Sequence, residues 1–65
     1  MTAEEAIAEV GKLNDRLREL DEKVRQAMNG PASEAIPQLQ QAIAEATARK
    51  QWLLAQIQRM QKAGS

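Results

Sequence analysis

Apolar residues recur along this chain in two unbroken series separated by one break. The first series is Ala3, Ala6, Val10, Leu13, Leu17, Leu20, Val24 and Ala27. The second is Ile36, Leu39, Ile43, Ala46, Lys50, Leu53, Ile57 and Met60, with Lys50 its one polar member. Steps of three and four alternate throughout both, the mark of a heptad seam with apolar residues at positions a and d. Between them stand Asn29-Gly30-Pro31. Proline cannot continue a helix, and glycine is a poor helix-interior residue.

Folding the chain at Gly30 brings the two seams into register without adjustment. Ala27 meets Ile36, Val24 meets Leu39, Leu20 meets Ile43 and Leu17 meets Ala46. Leu13 then meets Lys50, Val10 meets Leu53, Ala6 meets Ile57 and Ala3 meets Met60. Each a position faces a d position, as antiparallel helices require. Small residues oppose large ones in several layers, such as Ala6 with Ile57 and Leu17 with Ala46, which lets a seam pack closely. The prediction is an all-α fold: an antiparallel two-helix coiled-coil hairpin spanning residues 1–65 as one domain. Helix 1 is expected over about 3–29, a turn over about 30–33, and helix 2 over about 34–62. A single long helix in a parallel coiled coil would have to carry Gly30-Pro31 in its middle. No alternation of the strand kind occurs.

The ends are marked as well. Thr2-Ala3-Glu4-Glu5 reads as a capping box, and Glu4 and Glu5 suit the positive end of a helix dipole. Gly30 is the natural residue to end helix 1 in the left-handed conformation. Helix 2 is expected to start just after Ser33 or at Pro37, since proline is tolerated in a first helical turn. Residues 1–30 hold seven acids and five bases (net −2), and residues 31–65 hold two acids and four bases (net +2). In the hairpin, Glu4, Glu5 and Glu9 are expected near Arg59 and Lys62.

A domain of 65 residues buries only about 60% of its unfolded surface, so its core is marginal. Such folds are commonly held by disulfides, a metal or oligomerisation. The chain has no Cys and no His, so disulfides and the usual metal ligands are absent. Oligomerisation is the remaining support, and no cofactor is expected. The three glycines are isolated and form no phosphate-binding loop. Ser and Thr have no His or Cys beside which to form an activated nucleophile. The reading is therefore of a protein that is not an enzyme. Zero net charge argues against a general polyanion binder. No apolar run reaches the ~18 residues of a membrane span, the acidic start lacks a signal-peptide pattern, and the expected location is the cytoplasm.

What the seam leaves over carries the functional expectation. Ile7, Met28 and Leu54 fall at e positions, on one flank of the hairpin, with Ile7 and Leu54 neighbours near the termini. Trp52 falls at a c position on the opposite, g flank. Fully burying such a side chain is worth about 1.5–3 kcal/mol, so these four residues are the expected partner-binding surface. The expected function is a non-catalytic protein–protein interaction module: a self-assembling scaffold, an adaptor or a small chaperone subunit. Its expected partner is another copy or a helical protein, closing into a four-helix bundle or a larger helical oligomer. The alternative is a nucleic-acid-binding helical bundle using Lys12, Arg16, Lys23 and Arg49 beside Trp52. Acids intermix on that side, and Glu45 is placed one turn from Arg49 to pair with it. Lys50, opposite Leu13, is expected to lay its stem along the seam while its ammonium reaches water.

Overall fold

The computed structural model describes residues 1–31 and 33–63. It is a hairpin of two antiparallel helices, α1 (Ala3–Met28) and α2 (Ile36–Ala63), with a short 3-10 turn, Ser33–Ala35, leading into α2. The molecule is a rod of 52 × 15 × 14 Å. Ala32, within the expected turn, lies outside the described residues.

Thr2 caps α1. Its backbone is extended, and its Oγ1 accepts the Glu5 N–H at 3.1 Å. That satisfies one of the donors a helix start leaves without an internal partner. The return half of the capping box differs from expectation. The Glu5 carboxylate accepts the Thr2 hydroxyl at 3.1 Å rather than reaching the Thr2 backbone.

The exit from α1 corrects the expected left-handed glycine. No described glycine has a positive φ. Asn29 makes the turn instead, at φ −95° and ψ 3°, in the sparsely populated bridge region. Its N–H donates to the Arg25 carbonyl at 3.2 Å, and the Gly30 N–H donates to the Ala27 carbonyl at 3.4 Å. This tightens the last turn and occupies carbonyls the helix would leave open. Pro31 supplies the physical reason: its ring crowds the residue before it out of the helical region. Gly30 is useful here for its small size. A Cβ there would lie 3.3 Å from the Gln26 carbonyl oxygen.

At the start of α2, the 3-10 turn from Ser33 passes into α-helix at Ile36, between the two starts expected from the sequence. Pro37 is thus the second α residue. Its missing N–H falls in the first turn, where it breaks no hydrogen bond.

The seam is the core. All sixteen a and d residues are buried or half-buried. Ala6, Leu53 and Ile57 form a buried cluster against which Val10, Leu13 and Met60 pack. This is the register of the layers Ala6–Ile57 and Val10–Leu53. Leu53 is the largest side chain to be fully buried, at 0% exposure. Ala6, facing Ile57, leaves room for the bulk carried by helix 2. Lys50 is half-buried in its layer with Leu13.

Candidate interaction surface

The heptad register decides which side chains flank the seam. The e positions of both helices line one side and the g positions the other. On the e side Ile7 is 54% exposed, Leu54 41% and Met28 64%. These are large apolar side chains with about half their surface in water. They sit beside the best-packed part of the core, since Ile7 adjoins Ala6 and Leu54 adjoins Leu53. Between them along this flank lie Asn14 and Thr47, both half-buried. Trp52 is 48% exposed, so all four residues singled out from the sequence present apolar surface to solvent.

The other flank has a different character. Arg49 reaches across the hairpin to Glu9: its Nε donates to Oε2 at 2.7 Å and its Nη2 to Oε1 at 3.4 Å. The pair is fork-like, the favoured geometry for guanidinium and carboxylate. The same guanidinium lies over the Trp52 ring, 4.6 Å from its centre, within the range of a cation–π contact. Trp52 is therefore already engaged within its own hairpin, unlike Ile7 and Leu54.

This arrangement corrects one expectation about charge. Arg49 takes Glu9 rather than Glu45, its neighbour one turn away. The reason is positional. Glu9 and Arg49 both occupy g positions, which face each other across an antiparallel seam. Glu45 occupies a c position farther round its helix. The heptad register places both on one flank but sets Arg49 level with Arg16 and Glu9 level with Gln56, so the Arg49 side chain reaches along the flank to its acid. Arg49 is paired with an acid, while Lys12, Arg16 and Lys23 are exposed. The grouping for nucleic acid thus has its only helix 2 member occupied by a carboxylate. Lys12 is close enough to Glu9 for its charge to favour the ionised acid.

The Arg49 hydrogen bond holds the Glu9 carboxyl below the usual carboxylate range, against a smaller opposing effect of desolvation. A lowered folded pKa stabilises the hairpin above the unfolded carboxyl pKa of about 4.3, and the contribution is lost as pH falls through the folded value. The Arg49 pKa is raised, chiefly by the same bond; this is the same interaction seen from the cation, and it goes when Glu9 is protonated. Acidification from pH 6 to pH 3 is expected to lower the melting temperature, and Glu9→Gln is expected to fall less over that interval. Equal slopes for the two proteins in circular dichroism melts would show that the pair does not contribute.

Elsewhere the chemistry is plain. A surface depression along α1 is lined by Arg18, Asp21, Glu22, Arg25, Gln26 and Asn29. It contains the exposed Asp21–Arg25 ion pair, 3.3 Å long and one helical turn apart. Among the described residues no group of three or more His, Cys, Asp or Glu is placed to hold a metal ion. No described helix is long and apolar enough to cross a membrane. No protein-family model, curated protein or solved structure matches the chain.

Proposed function

We propose that the hairpin is a non-catalytic interaction module that assembles through the apolar residues outside its seam. The observation that carries this reading is the exposure of Ile7 and Leu54 on the flank adjoining the tightest part of the core. A two-helix rod has only one shared seam in which to bury apolar surface, and these residues belong to neither side of it. Covering them with further helices extends the same core outward. The work of such a module is mechanical: to hold copies of itself, or a helical partner, in a fixed arrangement as a scaffold, adaptor or small chaperone subunit.

The test is the mass in solution. The wild type is expected to scatter as a multiple of 7.2 kDa, with the multiple falling on dilution. Leu54→Glu is expected to shift that mass toward the single chain while keeping its helical circular dichroism, because Leu54 is partly solvated in the hairpin itself. An oligomer that Leu54→Glu leaves intact would exclude this surface.

A further inference from the structure

The e flank varies along its length in a way that selects its occupant. Ile7 and Leu54 share a layer near the termini. Asn14 and Thr47 share the next, Asp21 and Gln40 the one after, and Met28 lies at the turn end. A second copy can cover this flank about two kinds of two-fold axis. An axis across the hairpin sets helix 1 against helix 1 of the copy, and the two halves of net −2 lie side by side. An axis along the hairpin sets helix 1 against helix 2 of the copy, so that the charged edge of helix 1 meets an uncharged face of helix 2. Only the lengthwise axis keeps the layers matched, with Ile7 beside the copy's Leu54 and Asp21 beside the copy's Gln40.

The surface of α2 fits the second arrangement. From Pro37 to Gln61, all eleven residues at its b, e and f positions are uncharged, in a chain that is 28% charged. The charges α1 carries along this edge, Glu4, Arg18 and Arg25 at b positions, would meet Gln58, Ala44 and Pro37 of the copy. No charge faces a like charge there. Area is sufficient as well. One long face of a 52 × 15 Å rod is on the order of the ~800 Å² that each partner contributes to a standard interface.

We propose that the partner on the e flank is a second copy of this chain, related by a two-fold axis along the hairpin, giving a four-helix bundle in which every neighbouring pair of helices is antiparallel. Ile7 and Leu54 of both copies form one apolar layer. Trp52, turned to the opposite flank under Arg49, takes no part. This rests on the interaction-module reading and assigns its partner and geometry.

Because the chain has no cysteine, introduced thiols report alone. Light scattering is expected to give twice 7.2 kDa for the wild type and for Trp52→Ala. A mixture of Ile7→Cys chains and Leu54→Cys chains is expected to oxidise to a mixed disulfide dimer. Ile7→Cys with Met28→Cys is expected to give none. Glu4→Cys with Gln58→Cys, joined by a short dithiol-reactive reagent, repeats the measurement without touching the apolar layer. A dimer dissolved by Leu54→Glu but linked between positions 7 and 28 would overturn this pairing and leave the interaction module standing. A larger assembly, or one dissolved by Trp52→Ala, would do the same. A wild type that stays a single chain at all concentrations overturns both the pairing and self-assembly.

Discussion

Leu53→Ala is expected to unfold most of the hairpin at 25 °C. Leu53 is fully buried in a cluster with Ala6 and Ile57, against which Val10, Leu13 and Met60 pack. Removing a buried leucine side chain costs about 2–5 kcal/mol, the transfer term and the cavity together. A chain of this size rarely draws more than ~3–5 kcal/mol from a single core. The loss is therefore comparable with the whole stability. Helical circular dichroism at 25 °C should fall to a small part of the wild-type value, or the melting temperature should drop by more than about 10 °C. Leu54→Ala is the control, one residue along but 41% exposed, and should cost much less in the hairpin. Both must be compared at one protein concentration, since association adds to apparent stability. A melting temperature for Leu53→Ala within a few degrees of wild type would refute the register of the seam.

Lys50→Leu is expected to act in the opposite direction. Lys50 is half-buried at an a position facing Leu13, and lysine there must carry its ammonium out of the seam. Leucine completes the layer and removes that constraint. Part of the 1.5–3 kcal/mol of a fully buried leucine becomes available, about 1–2 kcal/mol. For a chain of this length that raises the melting temperature by roughly 5–15 °C. A polar a residue also discriminates between registers and oligomer states. The variant is therefore expected to be more stable and to show a broader distribution of masses than the wild type. Lower stability would mean that the Leu13 layer has no room for a leucine opposite it.

Both expectations depend on positions that a linear reading of spacing already places in the seam. That reading succeeded because a heptad repeat encodes a continuous stripe on a helix, and one turn at Gly30-Pro31 then determines which residues face each other. It succeeded less well at the turn. The αL glycine cap is a rule about isolated helix ends, and here Pro31 constrains the residue before it while Asn29 carries the bend. For the candidate surface, Ile7, Met28, Trp52 and Leu54 were legible as apolar residues outside the seam. That Trp52 is already covered in part by a guanidinium was not, because the contact depends on where Arg49 is drawn by its carboxylate.

The sequence by itself therefore determined two helices, their antiparallel register and the residues that line the seam. All three follow from periodicity and from backbone chemistry local to a few residues. The tertiary structure decided the partners: Arg49 with Glu9 instead of Glu45, and Trp52 beneath Arg49. A charged side chain chooses among several acids within reach by distance and geometry in space. That distance exists only after residues 40 positions apart have been brought side by side.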